Sequence, residues 1–154
     1  MQLLTAAGVR VIGTASEVNH DYVRALGATP VRYGDHLIAD LALAAPDGVD
    51  AALDAGGRGF ADQILALVEP SRIVTIVDFA AARHGVQIAA GDPFAVDARS
   101  LAPVLDLAAQ GRFATEVAGV VPFDGVAEAH RRSEDGHLRG KLLVHVADIA
   151  GANA

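Results

Sequence analysis

The hydrophobic pattern of the chain alternates between short β-rich runs and amphipathic stretches of about ten residues. Strands are predicted at Val9–Gly13, Thr29–Tyr33, Val49–Asp54, Arg72–Val77, Gly85–Ala90, Thr115–Val121 and Lys141–Val146. Helices are predicted at Val18–Leu26, His36–Ala45, Phe60–Val68, Leu101–Gln110 and Val126–Ser133. This alternation predicts βαβ units, and therefore an α/β fold in which helices cover both faces of a parallel sheet.

The ends of several predicted elements carry recognisable stop signals. Residues 1–8 have the pattern of the last turns of a helix, with Gly8 as its stop. The helix over His36–Ala45 places Leu37, Leu41 and Ala44 on one face, and Pro46 ends it. We therefore expect this helix to bury its leucine face.

Length and composition fit one domain with a substantial core. The chain has 154 residues, of which 52% are hydrophobic, and its mean hydropathy is +0.34. A domain of this size buries roughly 70% of the surface of its unfolded chain. We expect one domain over residues 1–148, followed by a frayed tail of small residues at 149–154.

Cysteine content and charge exclude several classes of function. With no cysteine, the chain cannot carry a disulfide framework, a cysteine-ligated zinc site or a thiolate nucleophile. A net charge of -7 argues against nucleic acid or an anionic membrane as a partner. No signal peptide and no apolar run of the roughly 20 residues needed to span a bilayer is apparent. These features predict a soluble cytoplasmic protein.

Other familiar sites are not supported by the sequence. The six histidines form no i,i+4 pair and no H-E-x-x-H motif, so we expect no metal site. No G-x-S-x-G motif marks a serine nucleophile. Asp54 at a strand end and a late Lys141 suggest a phosphoryl-accepting receiver domain, but Thr14-Ala15-Ser16 does not supply the acidic pair that such a domain needs.

In a parallel α/β sheet, ligands bind beyond the carboxyl ends of the strands. One such loop is Gly56-Gly57-Arg58-Gly59, whose amides could hold an anion, or whose glycines could simply relieve strain in a tight turn. A second is Thr14-Ala15-Ser16, which carries no acid. Ser16 could donate to a phosphate or only cap a helix. His20 follows one turn later, while the neighbouring Glu17 would repel a phosphate.

Five segments, in order and at matching spacing, give the chain a resemblance to a known family. They are Gly8–Ser16, Leu26–Ala28, Val31–Asp35, Gly48–Asp54 and His137–Val144. Together they resemble medium-chain dehydrogenase/reductases of the zinc-independent quinone oxidoreductase type. The resemblance covers nearly the whole chain.

The resemblance implies a Rossmann-type domain that binds NADP(H), with no metal, and we expect the binding to be weak in this chain. Residues at the adenosine 2′-phosphate would be Ser16, Tyr33 and His20, which replaces a lysine of some members. Gly56, Asp78 and Phe79 would lie near the nicotinamide, and Lys141 near the cofactor. No catalytic residue is assigned.

The resemblance also implies an incomplete enzyme. Relative to the family, the first Rossmann strand, its glycine-rich loop and the substrate-binding domain have no counterpart here. We therefore expect the C-terminal, cofactor-binding part of an NADPH-dependent oxidoreductase that reduces a quinone or an activated enone. The alternative is a non-catalytic remnant that dimerises or binds nucleotide weakly. The family implies a homodimer joined at the edge strand Gly85–Ala90, which carries no charge and no proline.

Overall fold

A computed structural model describes residues 1–57, 59–89, 91, 98–136 and 138–147. The helices are α1 (Gln2–Ala6), α2 (His20–Ala25), α3 (Leu37–Ala44), α4 (Phe60–Ile64), α5 (Ala98–Ala109) and α6 (Val126–Glu134). The strands are β1 (Ile12–Thr14), β2 (Thr29–Val31), β3 (Ala52–Asp54), β4 (Ile73–Thr75), β5 (Gln87–Ile88), β6 (Val117–Pro122) and β7 (Lys141–His145). Short 3-10 helices cover Glu17–Asn19, Pro70–Arg72, Phe79–His84 and Phe123–Gly125.

The chain divides into two compact units, Met1–Leu105 and Asp106–Ala154. One domain over residues 1–148 stays a prediction. The expected tail at 149–154 lies outside the described residues. Among the described residues, no helix combines the length and apolar character needed to cross a lipid bilayer.

The first unit contains two parallel sheets. β1 pairs with β2 from Ile12 opposite Thr29 to Thr14 opposite Val31. The second sheet has the order β3-β4-β5, and its register places Asp54 opposite Thr75. Within the described residues β1 pairs only with β2 and β3 only with β4, so each presents one open edge. The predicted α/β fold with parallel strands is confirmed.

The core of the first unit lies between these strands and the helices that follow them. The buried cluster comprises Val31, Leu37, Leu41, Ala61, Ile64, Val68, Ile73, Ala81 and Val86. As predicted, α3 turns Leu37 and Leu41 into this cluster, with Ala44 packed against it.

In its described residues, the second unit contains the end of α5 and one βαβ arrangement. β6 and β7 pair in parallel, with a register irregularity between Val117 and Gly119, and α6 connects them. α6 buries Ala129 and leaves most of its other residues exposed.

Several elements are shorter than the hydrophobic pattern predicts. β1 begins at Ile12 and not at Val9, because the Val9 amide donates to the Leu4 carbonyl and extends the turn that ends α1. The helix at Phe60 ends at Ile64, since the Leu67 amide bonds to the Ile64 carbonyl three residues back and tightens the last turn before Pro70.

Two further differences concern the strand at Gly85–Ala90 and the segment before it. Only Gln87–Ile88 forms a strand, and Ala90 lies outside the described residues. The 3-10 helix Phe79–His84 was not predicted. Asp78 is its N-cap, and the Asp78 side chain accepts a hydrogen bond from the Ala80 amide.

Candidate functional site

A cleft of about 430 Å³ opens at the carboxyl ends of the strands of the first unit. Thr14 ends β1, Tyr33 and Gly34 follow β2, and Asp54 ends β3. Its lining residues are Thr14, Tyr33, Gly34, Leu37, Leu53, Asp54, Ala55, Gly56, Gly57, Phe60 and Gln63. The cleft therefore occupies the position where parallel α/β sheets bind their ligands.

Asp54 and Thr75 form a buried hydrogen-bonded pair beside this cleft. The Thr75 hydroxyl donates to Asp54 Oδ2 at 3.0 Å. Asp54 Oδ1 accepts from the amides of Gly56 at 3.1 Å and Gly57 at 2.8 Å. Thr75 Oγ1 in turn accepts from the amides of Val77 and Asp78. The two side chains thus connect the loops that follow β3 and β4.

The glycine loop after β3 uses its first two amides internally. Because Gly56 and Gly57 donate to Asp54, these two N–H groups are not directed at a ligand. Gly57 and Gly59 have φ values of +66° and +76°, which L side chains rarely adopt. Of the two interpretations of this loop, its described residues have the geometry of the tight turn. Arg58 lies outside the described residues.

Arg32, the residue that directly follows β2, reaches Glu17 in the loop after β1. Arg32 Nη1 lies 3.2 Å from Glu17 Oε1, so the carboxylate that follows Ser16 is paired. Ser16 accepts a hydrogen bond from Asn19 Nδ2 at 3.1 Å and makes no side-chain cap to the helix backbone. The pairing of Arg32 was not predicted from the sequence, because Arg32 lies within the predicted strand Thr29–Tyr33 and follows the strand only in the structure, where β2 ends at Val31.

Only some of the predicted site residues line the cleft. Tyr33 and Gly56 line the cleft, whereas Ser16, His20, Asp78 and Phe79 do not. His20 begins α2, and its Nε2 is buried with no hydrogen-bond partner among the described residues. The role of each as a cofactor contact stays a prediction.

Asp78 and Phe79 follow β4, and Lys141 belongs to the second unit. The Asp78 amide donates to the Thr75 hydroxyl oxygen, and the Phe79 side chain is largely exposed. Lys141 begins β7 and lines a cleft of about 370 Å³ within the second unit, together with His130 and Ser133. Its predicted role also stays untested by the structure.

A parallel α/β unit with its cleft at the strand ends is the arrangement of a Rossmann-like dinucleotide-binding domain. The family model described as zinc-binding dehydrogenase matches residues 26–144, and the chain belongs to this family. The resemblance to medium-chain dehydrogenase/reductases found in the sequence is thereby confirmed.

The chain is also similar to solved structures. The quinone oxidoreductase from Coxiella burnetii is 27% identical with a TM-score of 0.74, and the match covers 95% of this chain and 48% of that one. An NAD-dependent alcohol dehydrogenase is also 27% identical, with a TM-score of 0.73 and coverage of 95% and 46%. CurA in complex with NADPH from Vibrio vulnificus shares the fold at 18% identity and a TM-score of 0.70, with coverage of 96% and 52%.

These matches cover most of the chain but only part of each neighbour. The chain spans about half the length of these structures. A comparison with the sequences of curated proteins gives no match.

In the part of the chain that the structure describes, the donor groups do not fit the zinc that the family description names. The sequence has no cysteine, and the described residues contain no group of three or more His, Asp or Glu side chains placed to hold a metal ion. Structural zinc sites usually need four protein ligands and catalytic sites three. No step of the proposed function therefore passes through a metal.

Proposed function

We propose that this chain is the cofactor-binding part of an NADPH-dependent oxidoreductase that reduces a quinone or an activated enone. Its membership of a dehydrogenase family and its similarity to a quinone oxidoreductase support this proposal. The observation that carries it is the cleft at the carboxyl ends of β1, β2 and β3. When bound, the nicotinamide supplies the hydride, and the protein contributes binding and orientation.

The residues of the cleft fit one section of a dinucleotide. Thr14, Tyr33 and Gly34 present a hydroxyl, an aromatic ring and open backbone on the β1–β2 side. On the β3 side, Leu53 and Phe60 contribute apolar surface around the glycine loop. This mixture of apolar walls and a few polar groups is typical of cofactor sites.

The charges beside the cleft favour a phosphorylated ribose. An acid at this strand end would bind the 2′-hydroxyl of NAD, and the segment Thr14–Ser16 carries none. Glu17 is the carboxylate that follows this segment in the sequence, and its pairing with Arg32 reduces its repulsion of an anion. Ser16 could donate its hydroxyl hydrogen to the phosphate. We therefore propose NADPH rather than NADH as the cofactor, with Ser16, Tyr33 and Arg32 on its adenosine side.

The loops after β3 and β4 form the other side of the proposed site. Following the family resemblance, we place Gly56, Asp78 and Phe79 towards the nicotinamide. The Asp54–Thr75 pair supports this assignment, because it holds the loops of Gly56 and Asp78 together. His20 and Lys141 enter the proposal through the family resemblance alone.

Binding measurements on the purified chain test the cofactor assignment. Calorimetric titration with NADPH and NADH under the same conditions should give the tighter dissociation constant for NADPH. Tighter binding of NADH would reject the assignment. Binding of neither nucleotide would favour the alternative, a non-catalytic module.

We also propose that two copies associate along β5. This strand is at the end of the sheet β3-β4-β5, and residues 86–89 carry no charge and no proline. An open edge of this kind can pair with its own copy across a two-fold axis.

A further inference from the structure

We propose that Asp54 and Thr75 are positioning residues that clamp the loops after β3 and β4 into the shape that receives the cofactor. The inference deepens the proposed function and rests on it. Asp54 is itself part of the cleft wall, and Ala55, Gly56 and Gly57 continue that wall. The clamp therefore acts directly on backbone that faces the ligand.

Both side chains are removed from solvent and fully paired. Asp54 is 1% exposed and Thr75 is 0% exposed. The carboxylate accepts three hydrogen bonds, two from loop amides and one from the Thr75 hydroxyl. That hydroxyl donates its only hydrogen and accepts from the amides of Val77 at 3.2 Å and Asp78 at 2.9 Å.

The register of the sheet makes this pairing possible. Asp54 and Thr75 are directly opposite each other, and each is the last residue of its strand. Each side chain binds the amides two and three residues ahead of it, so each shapes its own loop. The bond between the two side chains then couples the loops, and Val77 Cγ2 lies 3.5 Å from the point that a Cβ on Gly57 would occupy.

The direction of the hydrogen bonds requires an acceptor at both side-chain oxygen positions of residue 54. At position 54, asparagine could still accept from Gly56 and Gly57 through its one oxygen. Its NH₂ group would replace the oxygen that accepts from Thr75, whose hydroxyl already accepts two amides. Asp54→Asn should therefore disturb the β4 loop and leave the β3 loop held.

Thr75→Val removes the hydroxyl with little change of shape and leaves Asp54 Oδ2 and two amides unpaired. Thr75→Ser keeps the hydroxyl. Ile73→Val is the control, since Ile73 is equally buried on the same strand but makes no side-chain hydrogen bond to either loop. All three variants can be compared in NADPH affinity by calorimetry and in amide hydrogen exchange by NMR.

For Thr75→Val we expect about tenfold faster exchange at Val77 and Asp78, and about tenfold weaker NADPH binding, relative to Ile73→Val. Thr75→Ser should stay within about twofold of the wild type in both measurements. If Thr75→Val does not fold, Asp54→Asn provides the test, with faster exchange at Val77 and Asp78 and unchanged exchange at Gly56 and Gly57.

Unchanged exchange at Val77 and Asp78 in the folded variants would overturn the clamp. Faster exchange with NADPH affinity equal to that of Ile73→Val would also overturn it, because the loop shape would then not matter for binding. If the wild type itself does not bind NADPH, the proposed function fails. The exchange data would in that case still decide whether the two loops are clamped.

Discussion

A carboxylate at position 16 would act against the proposed cofactor. Ser16→Asp places a negative charge where we expect the 2′-phosphate of NADPH. Two unit charges about 4 Å apart repel by about 1 kcal/mol in water, and a phosphate carries more than one. We predict about tenfold weaker NADPH binding and unchanged or tighter NADH binding, both measured by calorimetry.

Ser16→Ala provides the matched control for this prediction. It removes the hydroxyl that accepts from Asn19 but adds no charge. Its effect on NADPH should be smaller than that of Ser16→Asp. An equal loss in both variants would show that charge at this position is irrelevant to cofactor choice.

Single residues of the site could be predicted where the signal is local. Tyr33 is the last residue of one predicted strand and Gly56 follows another, and the structure places both in the cleft. The pair Arg32–Glu17 spans 15 positions and the pair Asp54–Thr75 spans 21. Such pairs depend on the register between strands, which the hydrophobic pattern of one sequence does not specify.

At the scale of elements, α3 offers a direct test of the packing. Leu41 is 4% exposed and Leu43, two positions later on the same helix, is 82% exposed. Leu41→Ala should lower the free energy of unfolding by about 2–5 kcal/mol, because it leaves a cavity in the core. Leu43→Ala should change it by less than about 0.5 kcal/mol.

Urea unfolding followed by circular dichroism measures both values. Leu43→Ala is the control, because it also replaces a leucine of α3 by alanine but does so at an exposed position. Equal destabilisation by the two variants would contradict the burial described for α3.

The types and order of the elements were predictable because strands and helices have different hydrophobic periods. The residues at which the elements begin and end were less predictable. The hydrophobic pattern reports only apolar character. Val9 and Leu67 are apolar but lie outside the strand and the helix that the structure forms there, because their amides donate to the carbonyls of Leu4 and Ile64. The 3-10 helix at Phe79–His84 depends on the Asp78 cap and has no apolar period of its own.

For the molecule as a whole, the open edge of β5 predicts self-association. The Ala89 amide donates to the Thr75 carbonyl of β4, so by alternation the Ile88 amide faces away from β4. Ile88→Pro removes that outward donor and leaves the Ala89 bond to β4 in place. We predict a monomer by light scattering for Ile88→Pro and a dimer for the wild type.

Val86 is already buried in the core, whereas Ile88 is half-buried and can still pack against a partner strand. Circular dichroism should show that the variant keeps its fold. A folded Ile88→Pro protein that remains dimeric would place the interface elsewhere.

Catalysis by the chain alone should be poor. The chain spans about half the length of the matched oxidoreductase structures. The amides of Gly56 and Gly57 donate to Asp54 and are therefore not directed at a cofactor. The oxidation of NADPH with 9,10-phenanthrenequinone, followed by absorbance, should show no robust saturable turnover. Efficient turnover by the 154 residues would contradict this expectation.

The central claim is that the cleft of the first unit holds NADPH, and NMR titration of the labelled chain tests it most directly. We predict saturable chemical-shift changes at the amides of Thr14, Gly34, Gly56 and Gly57, which line the cleft. The amide of Leu43, an exposed residue of α3 that does not line the cleft, should move little. Saturable changes that bypass the cleft residues, or no change at any NADPH concentration, would contradict the account.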